Sequence, residues 1–285
     1  MDRLHVPYIE TMISQACTLS CRGCTNYSDY NVKRPVLTYK EYCNWFDPWW
    51  EKIEFDVIGF IGGEPMINPE LKDFLYKTQR KTEKCVMLVT NATLWHKWPG
   101  FMDFLKDTGD VILKFSVHQP NAPYMQKAIE EVLDSLPWER TYSDHDFIEN
   151  YECKEYRLNF QIDRTKAFLK TWKGNSYLDM KPYNSNPGKA FSICSQSHCP
   201  LLYNGRLYKC SSIAMLENVL TDHNRHQDPD WQDYLTYKGV GPNDDYADIV
   251  DWASNYAKPH KICKMCPEPA DKPYIPHIPN VKSRI

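Results

Sequence analysis

Eight of the eleven cysteines in this 285-residue chain fall into three tight groups. Cys17, Cys21 and Cys24 share one short stretch with the spacing C-x3-C-x2-C. Cys194, Cys199 and Cys210 form a second group, and Cys263 and Cys266 a C-x2-C pair. An odd total and a reducing compartment both disfavour a disulfide framework, so the clustering points to metal. Three thiolates on one short loop can hold three corners of an iron–sulfur cubane, because soft sulfur suits iron. The fourth iron, left without a protein ligand, is then a reactive site and not merely an electron relay. Structural zinc is the competing reading, but it closes a tetrahedron with paired knuckles. No fourth Cys or His follows the first group at knuckle spacing. Cys43, Cys85 and Cys153 stand alone, and a lone cysteine behaves first as a small buried apolar residue.

A scaffold must present such a loop, and the first half alternates strand and helix signals. His5 to Ser14 reads as a strand ending directly before Cys17. Thr38 to Glu41 is a capping box opening a helix over Tyr39 to about Trp50. Phe55 to Ile61 is a buried strand running into Gly62-Gly63, and Asn68-Pro69 starts a helix to about Lys81. Cys85 to Thr90 is a third strand, followed by a Trp-rich helical stretch from about Leu94 to Lys106. Val111 to Val117 is a fourth strand and Ala122 to Leu136 another helix. Beyond a polar connector, Thr141 to Glu152, the pattern predicts a fifth strand at Tyr156 to Ile162 and a short helix at Thr165 to Lys173. A sixth strand is expected at Ser176 to Tyr183. This alternation argues for a parallel α/β sheet, open or closed into a barrel, with chemistry in the loops after the strands' carboxyl ends. The first cysteine group and the double glycine both fall at such ends.

The alternation stops near Asn184, and Asn184 to Gly188 reads as a boundary loop dividing residues 1–183 from 184–285. Asn204-Gly205, between Leu-Leu-Tyr and Arg-Leu-Tyr-Lys, is a strong hairpin signal. With those two residues as the turn, Cys199 faces Cys210 with Cα atoms roughly 4.5–5.5 Å apart, which suits two ligands of one metal centre. An acidic stretch from Asp222 to Asp251, read as a solvated face, and a tail with five prolines in Pro267 to Pro279 complete the chain. Apolar types at 42% support a sizeable core, and 34 basic against 37 acidic residues argue against an extensive nucleic-acid surface. No window approaches eighteen apolar residues, so no membrane span is expected, and the chain reads as soluble and cytoplasmic.

C-x3-C-x2-C after the first strand of an α/β barrel resembles the signature of radical SAM enzymes. In that family S-adenosylmethionine (SAM) chelates the open iron of a [4Fe–4S] cluster. One electron then cleaves the sulfonium, giving a 5′-deoxyadenosyl radical that abstracts a substrate hydrogen atom. The aromatic residue common before the last cysteine is replaced here by Gly23. Gly62-Gly63-Glu64-Pro65, after the second predicted strand, resembles the family's GGEP element, which meets the SAM amino group. Two glycines let backbone approach a ligand closely, and Glu64 offers a carboxylate to an ammonium. Thr90-Asn91 matches a pair near SAM at the end of the third strand, and Ser116 sits where members contact the ribose. Asn91 and Ser116 as plain strand-end turn formers is the alternative. The resemblance covers roughly residues 6 to 183 and implies a partial (β/α)6 barrel.

Cys194-x10-Gly205-x4-Cys210 followed by C-x2-C resembles the auxiliary-cluster module called twitch, the short relative of the SPASM domain. The fuller pattern needs cysteines after Cys266, and there are none, so the resemblance implies one auxiliary [4Fe–4S] cluster. Family spacing selects Cys194, Cys210, Cys263 and Cys266, whereas the hairpin promotes Cys199, and structural zinc stands as the bland reading of the module. Radical epimerases need a hydrogen-atom donor opposite the face of abstraction, a role a thiol such as Cys153 can fill. His118 could touch substrate or be an ordinary loop histidine. The expected function is hydrogen-atom abstraction leading to oxidation or epimerisation of a small molecule such as a sugar, cyclitol or nucleotide, a chain of this length showing no evident domain for a leader peptide. Its electrons come from a flavodoxin- or ferredoxin-type reductant. Modification of a ribosomal peptide, and a non-catalytic metal-binding or electron-transfer protein, are the alternatives.

Overall fold

The sheet is built from strands whose helix-facing residues are apolar and whose other face mixes apolar side chains such as Met12, Ile61 and Val89 with polar ones. A computed structural model describes residues 3–29, 36–144, 146–164, 167–276 and 280–281. In chain order the strands are β1 (Leu4–Ser14), β2 (Leu19–Ser20), β3 (Ile53–Gly62), β4 (Cys85–Thr90), β5 (Val111–Ser116), β6 (Glu139–Asp144) and β7 (Ile148–Cys153). Then come β8 (Leu158–Asp163), β9 (Ala167–Leu169), β10 (Leu201–Tyr203), β11 (Arg206–Tyr208), β12 (Tyr274–Pro276) and β13 (Asn280–Val281). The main helices are α1 (Tyr39–Trp50), α2 (Leu71–Thr82), α3 (Phe101–Thr108) and α4 (Pro123–Asp134).

Nine strands form the central sheet in the order β11-β10-β1-β3-β4-β5-β8-β7-β6. From β10 to β8 every pairing is parallel, whereas β11 at one edge and β7 and β6 at the other run antiparallel. The α/β architecture with a mostly parallel sheet is as expected, but three elements differ. The connector Thr141 to Glu152 is the antiparallel hairpin of β6 and β7, which covers the edge of β8. Where a helix is predicted at Thr165 to Lys173, the chain forms β9, paired with β12; Thr165 and Lys166 lie outside the described residues. Ser176 to Tyr183 is no strand, because Asp179 folds it into a turn by accepting hydrogen bonds from the Asn175 and Ser176 amides. The sixth parallel strand is instead β10, beside β1 and past the boundary expected at Asn184.

Ile9, Ile58, Phe60, Leu88, Leu113, Phe115 and Phe160 share the main core with Tyr42, Phe46 and Trp49 of α1. Each buried large side chain of this kind contributes about 2–3 kcal/mol. The capping box at Thr38 forms, with Glu41 N donating to Thr38 Oγ1 at 3.2 Å and Thr38 N to Glu41 Oε2 at 3.0 Å. Because successive strand residues point to opposite faces, Tyr8, Glu10, Lys114 and Ser116 stand on the concave side. Among the described residues no helix is long and apolar enough to cross a membrane.

Candidate active site

A cavity of about 250 Å³ opens at the carboxyl ends of the parallel strands, lined in part by Cys17, Cys21, Cys24, Gly62, Gly63 and Asn91. Each arrives there for a local reason. β1 ends at Ser14, and the chain turns at once into the cysteine loop, tightened by Cys24 N donating to Cys21 O at 3.1 Å. Cys17 Sγ accepts hydrogen bonds from Leu19 N at 3.4 Å and from Asn91 Nδ2 at 3.5 Å. Donors aimed at sulfur favour the thiolate, the form that binds metal.

The double glycine is needed because two backbones meet. Gly63 N donates to Ser14 O at 2.7 Å and Glu64 N to Ala16 O at 2.8 Å. A Cβ at Gly62 would stand 2.3 Å from Ser14 O, and one at Gly63 would stand 2.3 Å from Ala16 O and 2.8 Å from Cys17 Cβ.

Glu64 and Pro65 are not part of the cavity lining. The Glu64 carboxylate is fully buried and accepts from Thr90 Oγ1 at 2.6 Å, Met66 N at 2.9 Å and Asn91 N at 2.8 Å. It thus ties the glycine turn to the end of β4 rather than facing a ligand's ammonium. Burial pushes its pKa up to about 7, against the pull of those three donors. Asn91 is buried in a network with Thr18 and Thr93 that holds its amide on Cys17.

Ser116 lines the cavity at the end of β5, as do His118 and Phe168. Glu10 forms part of the same wall and is largely buried, with Tyr8 OH donating to its Oε1 at 2.9 Å. Burial raises its pKa to about 7, opposed by the Tyr8 hydrogen bond, the Lys114 charge and the Cys199 thiol. Lys114 itself pairs with Asp163 at 2.8 Å.

The cysteines of the second and third groups divide between two cavities. The hairpin has the expected register, with Leu201 opposite Tyr208 and Tyr203 opposite Arg206. Past its last rung the two chains diverge: Cys199 lines the first cavity, whereas Cys210 joins Cys194, Cys263 and Cys266 around a second, of about 30 Å³. Desolvation pushes the Cys210 thiol up to about 12, with the Cys194 and Cys263 charges adding to it; Cys266 is raised by burial and by the same neighbours. Lys209 also lines this pocket, its Nζ held by the carbonyls of Tyr256 and Lys258. Among the described residues no three His, Cys, Asp or Glu side chains close tightly enough to hold one metal ion. A [4Fe–4S] cubane asks for a wider set, since each thiolate meets its own iron. The three-cysteine loop and the four-cysteine pocket both fit that demand.

Cys153 lies elsewhere. It is 2% exposed in the main core and pairs with Leu158 at the start of β8. Ser116 and the cavity are five rungs away along the neighbouring strand, roughly 17 Å at 3.3 Å per residue. At that distance the Cys153 thiol cannot deliver a hydrogen atom into the cavity.

Several lining residues carry no sequence signal. Asn26 Nδ2 donates to Gly62 O at 3.1 Å, Ser211 Oγ to Asn26 Oδ1 at 2.6 Å, and Gln196 Nε2 to Ser211 Oγ at 2.6 Å. Ser212 Oγ donates to Gln196 Oε1 at 3.0 Å. This chain of polar groups ties the cysteine loop to the second half of the protein.

Cysteine loop, double glycine and asparagine meet around one cavity at the ends of the parallel strands of an α/β sheet. Residues 11–149 match the family described as "Radical SAM superfamily", whose members are enzymes. The family implies a [4Fe–4S] cluster and SAM. No curated protein matches at a significant level. Among solved structures, Streptococcus suis SuiB bound to precursor peptide SuiA is 18% identical over 39% of this chain and 24% of its own, with a TM-score of 0.33. Native anSMEcpe with bound AdoMet and Cp18Cys peptide is 18% identical over 44% of this chain and 39% of its own, with a TM-score of 0.35. BtrN in complex with AdoMet and 2-DOIA is 14% identical over 94% of this chain and 95% of its own, with a TM-score of 0.46. The chain thus spans less than half the length of the first two, and all three are remote likenesses.

Proposed function

We propose that the protein is a radical SAM enzyme acting on a small polar molecule, by two-electron oxidation or epimerisation. Cys17, Cys21 and Cys24 hold the SAM-binding [4Fe–4S] cluster, and Gly62, Gly63, Asn91 and Ser116 line the place for SAM. When bound, these groups supply a 5′-deoxyadenosyl radical able to take a hydrogen atom from substrate. The protein's own part is to leave one face of the cysteine loop open to the cavity, to keep Cys17 under the Asn91 amide and to exclude bulk water. Cys194, Cys210, Cys263 and Cys266 are read as ligands of one auxiliary [4Fe–4S] cluster, with residues 1–183 serving SAM and 184–285, which also lend β10 to the main sheet, the second cluster. Electrons come from a flavodoxin- or ferredoxin-type protein. A polar substrate is favoured because Glu10, Ser116 and His118 form the wall beside the cysteines.

The observation that carries this reading is that three cysteines, two glycines and an asparagine from separate strand ends meet around one cavity. Anaerobic reconstitution followed by dithionite and SAM tests it. Expected are about eight irons and about eight sulfides per chain, four of each per cubane, and release of 5′-deoxyadenosine. Intact clusters without 5′-deoxyadenosine would sink the enzymatic reading, and stoichiometric zinc would make the second pocket structural.

A further inference from the structure

The loop that carries the first three cysteines is closed by the far end of the chain. At Gly23 its backbone takes φ +77°, a region that L-residues avoid, and a Cβ there would lie 2.7 Å from Ile275 Cδ1 and 3.6 Å from Lys170 Cβ. Ile275 therefore fills the space in which a side chain at position 23 would stand. It is delivered by β12, antiparallel to β9, with Ile275 opposite Phe168 and Lys170 N bonded to Pro273 O at 3.1 Å. Phe168 in turn packs against the cluster of Cys17, Leu19 and Cys21 and lines the first cavity. A second tie lies between the cysteines themselves, where β13 pairs with β2, Asn280 opposite Ser20 and Val281 opposite Leu19.

We propose that the C-terminal tail is part of the N-terminal cluster site, with Ile275 a positioning residue that seats on Gly23 while β12 and β13 clamp the loop of Cys17, Cys21 and Cys24. The proposal rests on the reading of that loop as a [4Fe–4S] site and adds to it which other part of the chain completes it. Physically, a short loop bearing three thiols is ordered by neighbours rather than by its own hydrogen bonds, and the apolar shell around a metal site controls access of water and oxygen. Here Leu19, Phe168 and Ile275 supply that shell, and one of the three comes from the last dozen residues of the sequence.

The test compares reconstituted wild-type holoenzyme with I275D, I275V and a chain ending at Lys272. It follows the EPR signal of the reduced cluster that responds to added SAM, and its survival after a pulse of air. I275D and the shortened chain should lose that signal about tenfold faster, and I275V should stay within about twofold of wild type, since it trims one methylene from a half-buried site. Wild-type survival in both I275D and the shortened chain overturns the proposal. Should the shortened chain fail to fold, the I275D and I275V pair decides. A cluster-free readout separates this from the reading it rests on: in the apo-protein, iodoacetamide should label Cys17 and Cys21, each 6% exposed, faster in I275D than in wild type. Equal labelling also overturns the clamp. Faster labelling in a protein that never gives a SAM-responsive signal leaves the clamp standing and refutes the cluster.

Discussion

Gly63→Ala should damage cluster chemistry far more than it damages the fold. The added Cβ would sit 2.3 Å from Ala16 O and 2.5 Å from Ala16 C, about 1.1 Å inside the 3.4 Å at which ordinary contact begins. Both obstacles are backbone atoms, so no side-chain rotation relieves them. The same segment is held by Gly63 N on Ser14 O and Glu64 N on Ala16 O, and the next residue is Cys17. The strain therefore moves either the glycine turn or the cysteine, by about an ångström. Overpacking of this kind costs roughly 2 kcal/mol, a melting temperature lower by about 4–6 °C. A displacement of that size at a reacting centre costs about 100-fold in rate. Gly100→Ala is the matched control: it has φ +70° and nothing within 4 Å, so it should lose about 1–2 kcal/mol of stability and no activity. Melts by circular dichroism, iron content and the initial rate of 5′-deoxyadenosine formation are measured on both. If Gly63→Ala matches Gly100→Ala in all three, the close approach of the two backbones does not position Cys17 and the reasoning fails.

Glu64→Ala should cost about 3 kcal/mol in thermal or chemical melts, because it strands the buried Met66 and Asn91 amides at about 1–3 kcal/mol each. Cys210→Ser should halve the iron bound after reconstitution, whereas Cys199→Ser should leave it unchanged, since Cys199 lines the other cavity. Glu10 supplies a pH dependence: its pKa of about 7 in the folded chain stands above the ordinary 4.5. Its stabilising contribution is thus fully present below about pH 4.5 and lost as pH rises through about 7, on the order of 3 kcal/mol in all. Glu64 shifts in the same direction, so Glu10→Gln should reduce, not abolish, the fall in apo-protein stability between about pH 5 and pH 7.5; an unchanged slope would show that Glu10 is not the group concerned.

The parts of the site readable in the sequence are those with local causes. The cysteine spacing, the double glycine after a β-branched run and the Thr38 capping box each act within a few residues of themselves, and each stands where its pattern puts it. What escaped depends on distant partners. A three-residue apolar run such as Leu201–Tyr203 signals only a hairpin, and nothing local says that its free edge meets Glu10 and Thr11 in parallel. Thr165 to Lys173 has mixed periodicity, and pairing with β12 decides for a strand. Asn26, Gln196 and Ser211 look like any loop polar residues until the fold joins them. Cys153, placed beside the chemistry on the strength of its thiol alone, sits at the wrong end of its strand.

The insertion of β10 beside β1 explains why the two cysteine-lined cavities stand so close. By pairing Leu201 and Leu202 with Glu10 and Thr11, the sheet brings the segment Cys194 to Cys199 against the mouth of the barrel. Gln196 then lines both cavities, its amide fixed at each end by Ser211 and Ser212. Ser212 also donates to Thr25 O and Ser211 to Asn26, directly after Cys24. A wall one side chain thick, hydrogen-bonded to Thr25 and Asn26 on one side and to Cys194 on the other, is a short and rigid separation. Shifting either set strains the same four polar groups, so the geometry of the four-cysteine pocket and that of the Cys17–Cys24 loop are mechanically one arrangement. The cavity beside Cys17, Cys21 and Cys24 inherits its shape from both.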